Sequence, residues 1–234
     1  MRRALVIQHA DTGPPALLGE WMEARGIAYD VHRTDHGGPL PDPSGYAFVA
    51  SLGSKRSPRD TDDPAVVAEL ELLARAVAAD VPVLGLCFGG QALAAVLGAG
   101  IEAAPRAELG WTTIETDDPG IVPAGPWLEW HYERFSTPPG ATELARTEVG
   151  PQAFRHGRHL GVQFHPESTP AIVASWAASD RERIAGLGFH DGPALIAADP
   201  EQEAAARAAA FTLFDGFLAN ADDPAAPVGA AREG

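Results

Sequence analysis

Short apolar runs alternate with longer amphipathic ones through the first hundred residues, and this alternation constrains the fold more than any other feature. Ala4–Gln8 (ALVIQ), Ile27–Val31, Tyr46–Leu52 and Val81–Leu86 read as strands. Runs that are apolar throughout belong to strands covered on both faces. Between them, Ala16–Arg25 carries Leu17, Leu18, Trp21 and Met22 at helical spacing, behind Pro14 and Pro15, and Gly26 stops it. Pro64 opens a second helix with a stripe of Val67, Leu70, Leu72, Leu73 and Val77. Gln91–Leu97 reads as a third, ended by Gly98. A β-α-β-α-β order of this kind specifies an α/β fold, a parallel sheet covered by helices.

The chain changes character after Ile101. Trp111–Glu115, Trp127–Glu129, Glu143–Thr147, Gln152–Arg155 and Leu160–Gln163 are short runs punctuated by Pro, Gly and Trp. They read as largely antiparallel strands joined by turns. A helix is expected over Ala171–Ala178. Another is expected over about 200–218, where Phe211, Leu213, Phe214 and Phe217 crowd the C-terminal part. Residues 221–234 lack apolar periodicity and read as a flexible tail. No repeat and no linker divides the chain, so residues 1–220 are expected to form a single domain.

Composition removes several function classes. One Cys in 234 residues excludes an intramolecular disulfide framework and zinc sites built from several cysteines. The formal charge of −15 argues against nucleic acid, whose phosphates call for clustered positive charge. No apolar run approaches the roughly 20 residues that span a bilayer. The N-terminus meets Asp11 and two prolines after a short apolar run, unlike a signal peptide. The histidines His9, His32, His36 and His190 show no ligand spacing, and His156 and His159 flank a turn at Gly157-Arg158. No metal and no cofactor are expected, and the expected location is the cytoplasm.

The single cysteine lies in the most informative stretch, PVLGLCFGGQALAAVLG, from Pro82 to Gly98. An apolar strand runs into Gly85-Leu86-Cys87-Phe88-Gly89, and a helix follows. Glycines two residues before and after the Cys let neighbouring chain pass close by. A sharp strand-to-helix turn strains the backbone at its centre and sets the sulfur beside a helix N-terminus. That position favours a thiolate and leaves backbone N–H groups free to hold an oxyanion. The alternative is an inert core Cys; the Gly-x-Cys-x-Gly frame favours the reactive reading. A thiol nucleophile needs a base and a group to orient that base. Gly161-Val-Gln-Phe-His165-Pro-Glu167 offers both, since a strand would deliver His165 at its end and Glu167 could set its tautomer.

GLCFGGQ together with QFHPE, 78 residues apart from Cys to His, resembles the class I (triad) glutamine amidotransferase family. The likeness covers roughly residues 45 to 178, including Glu108-Leu-Gly-Trp, Trp130-His131 and Pro151-Gln-Ala-Phe. It is similar in particular to the glutaminase domain of guanosine monophosphate synthetase. The resemblance implies a flavodoxin-like three-layer sandwich, with a mostly parallel central sheet and an antiparallel extension. It further implies that Cys87 is the nucleophile, His165 the base and then acid, and Glu167 the orienting carboxylate. The backbone N–H groups of Phe88 and Gly53 would form the oxyanion hole. Gln91, His131 and Glu133 would contact the substrate. Two departures stand out. The family's Gly-Gly-Pro loop reads Leu52-Gly53-Ser54 here, and Glu133 replaces an Asp. Lys55, the chain's single lysine, and Arg56 follow that loop and read as solvated.

The resemblance implies hydrolysis of the glutamine side-chain amide, with ammonia delivered to a synthetase docked in trans. The alternatives are a γ-glutamyl peptidase or related amide hydrolase without an ammonia acceptor, and a non-catalytic regulatory module.

Overall fold

A computed structural model of the protein describes residues 3–188 and 192–223. The chain order is β1 (Ala4–Gln8), α1 (Ala16–Ala24), β2 (Tyr29–Arg33), β3 (Val49–Ser51), α2 (Pro64–Ala78), β4 (Val83–Leu86) and α3 (Phe88–Val96). There follow β5 (Ile101–Thr112), β6 (Glu115–Thr116), β7 (Trp127–Phe135), β8 (Thr142–Arg146), β9 (Pro151–His156) and β10 (His159–Val162). The helices α4 (Pro170–Ser179), α5 (Arg181–Gly186), α6 (Gly192–Ile196) and α7 (Pro200–Asp222) complete it. No helix among the described residues is long and apolar enough to cross a membrane.

An eight-stranded sheet runs in the order β2-β1-β3-β4-β10-β9-β8-β6. Its pairings from β2 to β10 are parallel, and those from β10 to β6 are antiparallel. The fold is therefore the expected α/β sandwich with a mostly parallel sheet and an antiparallel extension. Successive residues of β1 serve opposite faces, as the pleat requires. Ala4 and Val6 meet Leu18, Trp21 and Met22 of α1 and Leu213, Phe214 and Phe217 of α7. Leu5 and Ile7 meet Val66, Leu72 and Leu73 of α2 and Phe88, Ala92 and Leu93 of α3.

Several element boundaries differ from the sequence reading. β5 and β7 are long and pair with each other in a separate two-stranded antiparallel sheet. Pro105 and alternating charge hide β5, and the ladder tolerates them through a register shift between Ala103 and Glu108. α3 starts at Phe88 rather than Gln91, because Gly89 and Gly90 are packing residues rather than breakers. A Cβ on Gly89 would stand 2.1 Å from Ser51 O, and one on Gly90 2.3 Å from Val162 O. The helix therefore lies directly on the sheet. α5 and α6 have no counterpart in the sequence reading. α7 continues to Asp222, so the expected tail is helical at Ala221 and Asp222. The rest of that tail, from residue 224, lies outside the described residues, as does His190.

Candidate active site

The carboxyl ends of β1, β3, β4 and β10 lie side by side, and ligand sites of open α/β sheets form outside such ends. Cys87 stands between β4 and α3, capping the helix with φ 51° and ψ −107°. Such a backbone is uncommon for a residue with a Cβ. It is held by the Cys87 N–H donating to Val162 O at 2.9 Å, and by Gln91 N–H donating to Cys87 O at 2.9 Å. Gly85 is required here, since its Cβ would meet Gly89 O at 2.4 Å. The Phe88 N–H falls in the first turn, where a helix supplies no carbonyl partner.

His165 follows β10, with its N–H donating to Leu128 O at 2.9 Å. Its Nδ1 lies 2.8 Å from Glu167 Oε1, and both side chains are buried. Donation from Nδ1 to a carboxylate leaves Nε2 as the other ring nitrogen, and the ring shares its cavity with Cys87. Burial works against a charged imidazole, but the Cys87 sulfur and the Glu167 carboxylate outweigh it, and the His165 pKa rises well above its usual value. Trp176 covers the ring at 4.6 Å between centroids. Gly53 presses on the same ring: a Cβ there would be 2.7 Å from His165 Cε1 and 3.8 Å from Cys87 Cβ. A thiol, an imidazole and a carboxylate in this sequence can generate a thiolate for attack on an acyl carbon.

A cavity of about 360 Å³ opens over these groups, lined by Cys87, His165, Gly53, His9, Trp130 and Trp176. Lys55 and Arg56 also line it. Neither is merely solvated: Lys55 Nζ pairs with Asp180 at 2.6 Å, and Arg56 Nε with Asp63 at 2.7 Å.

With this geometry in view, comparison with known proteins is decisive: residues 57–173 match the family "Glutamine amidotransferase class-I". The chain belongs to that family. It is 37% identical over 140 residues to a GMP synthase [glutamine-hydrolyzing] of Aeropyrum pernix, covering 56% of this chain and 25% of the relative. It is 33% identical over 173 residues to the GMP synthase [glutamine-hydrolyzing] of Xanthomonas oryzae pv. oryzae, covering 67% of this chain and 32% of the relative. The chain thus spans a quarter to a third of these relatives' length. A solved glutamine amido transferase from Methylobacillus flagellatus superposes with a TM-score of 0.82 at 28% identity, over 94% of this chain and 95% of that one.

The remaining site candidates of this class I amidotransferase relative are not among the residues lining the cavity. Gln91 is buried, and its amide donates to Glu133 O at 3.0 Å and to Gln163 Oε1 at 3.3 Å. Gln163 in turn places its amide nitrogen 3.8 Å from Cys87 Sγ. The Glu133 carboxylate pairs with Arg59 at 3.1 Å. His131 Nδ1 donates to Glu133 O at 3.0 Å. Its Nε2 lies 3.0 Å from Glu108 Oε2 and 3.2 Å from Glu129 Oε2. Burial opposes charge on His131, yet the two carboxylates prevail and raise its pKa to about 10. Glu108, Glu129 and His131 bring one potential ligand atom each within 4.8 Å of one another, the geometry of a cation site. The same contacts make His131 and the two carboxylates an ion-pair cluster whenever the imidazole is protonated.

Sequence reasoning passed over His9, Glu69, Gln163, Trp130 and Trp176. Trp130 and Gln163 stood inside recognisable motifs, next to His131 and two residues before His165. His9 and Glu69 carried no local signal, because the topology alone brings the end of β1 to α2.

Proposed function

We propose that the chain hydrolyses the side-chain amide of glutamine, with Cys87, His165 and Glu167 as the reacting groups. The observation that carries this reading is the buried His165 imidazole, with Nδ1 2.8 Å from Glu167 Oε1 and its ring lining the same cavity as Cys87. Cys87 Sγ attacks the amide carbon, and the carbonyl π electrons move to oxygen. The N–H groups of Phe88 and the Gly53 loop hold that oxyanion. His165 gives its proton to the departing nitrogen, so ammonia leaves as the C–N bond breaks and a thioester remains. The now neutral His165 takes a proton from water, the hydroxide attacks the thioester, and glutamate departs as the thiol is restored. Glutamine and water thus become glutamate and ammonia. The named relatives couple glutamine hydrolysis to synthesis, and a synthetase supplied in trans is the partner this reading calls for. Gln91, His131 and Glu133 support the site from behind, through Gln163 and the charged cluster.

Glutamate release by wild type against Cys87→Ala tests the proposal. Wild type is expected to turn over glutamine and Cys87→Ala to lose it entirely; equal release would refute it. An electrophilic glutamine analogue is expected to label Cys87 alone.

A second reading keeps these residues and changes the leaving group. The cavity of about 360 Å³ walled by Trp130 and Trp176 has room for an amine larger than ammonia. γ-Glutamyl peptides turning over faster than glutamine would select that γ-glutamyl hydrolase.

A further inference from the structure

His9, Glu69 and Ser51 form a buried polar chain that the reaction above does not use. His9 is 6% exposed, Glu69 1% and Ser51 0%. Ser51 Oγ donates to Glu69 Oε1 at 2.6 Å, and Glu69 Oε2 lies 2.7 Å from His9 Nε2. His9 Nδ1 lies 3.0 Å from Gly53 O. A carbonyl can only accept, so Nδ1 must carry a proton and donate it. The His9 ring also packs edge-on against Phe88, 4.9 Å between centroids. One imidazole therefore touches both residues whose N–H groups are assigned to the oxyanion.

Gly53 is the member that needs holding. Its ring contacts leave no room for a Cβ, so it must be glycine, the residue with the least intrinsic restraint. Both peptide planes beside it are clamped. Leu52 O accepts from Gly89 N–H at 3.2 Å, and Gly53 O accepts from His9. A trans peptide directs its N–H opposite to its C=O, so clamping both carbonyls fixes where the Gly53 and Ser54 N–H groups point. Glu69 sits on the buried face of α2 among Val66, Leu72, Leu73 and Ala76. An apolar residue would fill that face without the desolvation cost of a carboxylate. Its hydrogen bonds explain the choice: Glu69 holds His9, and His9 holds the loop.

We infer that His9, backed by Glu69 and Ser51, is the positioning residue that aims the Gly53 loop at the oxyanion. This rests on the reading of Cys87 as an acyl-transfer nucleophile. The device fixes a direction, so it depends on a donor at His9 and a properly bonded side chain at Glu69.

The test compares near-isosteric pairs. His9→Asn keeps an N–H donor toward Gly53 O, whereas His9→Leu does not. Glu69→Gln can accept from Ser51 and donate to His9 Nε2, whereas Glu69→Met cannot. Losing an oxyanion donor costs about 10²–10³-fold in kcat. That loss is expected for His9→Leu and Glu69→Met, with KM within about 3-fold; His9→Asn and Glu69→Gln should stay within about 10-fold of wild type. Two further readouts separate aim from mere structure. Iodoacetamide alkylates Cys87 by displacement, with no oxyanion, and its rate should be unchanged in all four variants. The γ-aldehyde analogue of glutamine adds the thiol across its C=O to give a thiohemiacetal whose oxygen occupies the hole. Its affinity should fall in parallel with kcat. Alkylation falling as far as turnover, an effect confined to KM, or Glu69→Gln failing as badly as Glu69→Met would each overturn the inference. If His9→Leu does not fold, the Glu69 pair decides the question by the same measurements. Cys87→Ala run alongside reports on the reaction itself, so failure of either idea is seen separately.

Discussion

Cys87 holds φ 51° and ψ −107°, outside the regions that an L-residue enters without strain. Strain of this kind costs about 1–3 kcal/mol and persists only where the surroundings impose it. An Ala→Gly exchange in regular structure destabilises by roughly 0.5–1 kcal/mol. At position 87 the order should invert: Cys87→Gly is expected to unfold at a higher urea concentration than Cys87→Ala, with both inactive. An ordinary Ala-over-Gly preference would show that the backbone there is unstrained. Gly53 gives the complementary prediction. A Cβ 2.7 Å from His165 Cε1 must push the ring away from Cys87. A displacement of about 1 Å can cost 10²-fold in rate. Gly53→Ala should therefore lose about 100-fold in kcat while retaining a cooperative fold. Turnover within a few-fold of wild type would show that the contact is not critical. These residues also show what a sequence discloses. Cys87, His165 and Glu167 announce themselves because each sits in a local frame, glycines around one and a strand end with proline around the others. Gly53 was legible as a loop position, but not as the glycine that meets His165. His9 and Glu69 lie 60 residues apart with no frame, and only the packing of α2 on the sheet joins them.

The β9–β10 hairpin shows the same at the scale of an element. Its strands and the turn at Gly157 were legible, yet the state of its histidines was not. His159 accepts a hydrogen bond from Val83 N–H at 3.2 Å on Nδ1, which only an unprotonated nitrogen can do. Burial, aided by the neighbouring His156, lowers the His159 pKa to about 4. The unfolded chain would bind that proton near pH 6.5. The sign follows: above about pH 6.5 the contribution to stability is whole. As pH falls toward about 4 the unfolded state binds more protons, and stability drops by up to about 1.4 kcal/mol per pH unit. His159→Asn retains an acceptor without the titration. Its urea midpoint should therefore vary less between pH 6.5 and 4.5 than that of wild type. Parallel curves would remove His159 as the cause. β5 was the strand least visible in sequence, because its charges and Pro105 break the alternation by which strands are recognised. No tight turn joins β5 to β7, since β6 and a long connection intervene, so their pairing arises in the folded chain alone.

Across the whole molecule, the two faces of one sheet carry two apolar clusters, and α7 closes the first of them. Leu213, Phe214 and Phe217 pack on Trp21 and Phe48, the Phe214 ring 5.5 Å from Trp21 and the Phe217 ring 5.4 Å from Phe48. Asp215 on the same helix accepts from Trp21 Nε1 at 3.0 Å and pairs with Arg25 at the end of α1. α7 therefore fills a slot in a core formed by the first three strands rather than adding a unit of its own. The aromatic crowding of 211–217 disclosed an amphipathic helix; its partner on α1 was beyond reach, since nothing local links position 21 to position 214. Such packing predicts a single cooperative unit from β1 through α7. Removing one buried ring on α7 should then be felt by the entire chain. Phe217→Ala is expected to lose about 3–5 kcal/mol, the usual cost of a large aromatic cavity. Tryptophan fluorescence and far-ultraviolet circular dichroism should report the same lowered midpoint with an unchanged denaturant slope. Two separated transitions, with the tryptophan signal moving and the bulk of the helix signal staying, would instead mean that α7 and α1 melt as a layer independent of the sheet.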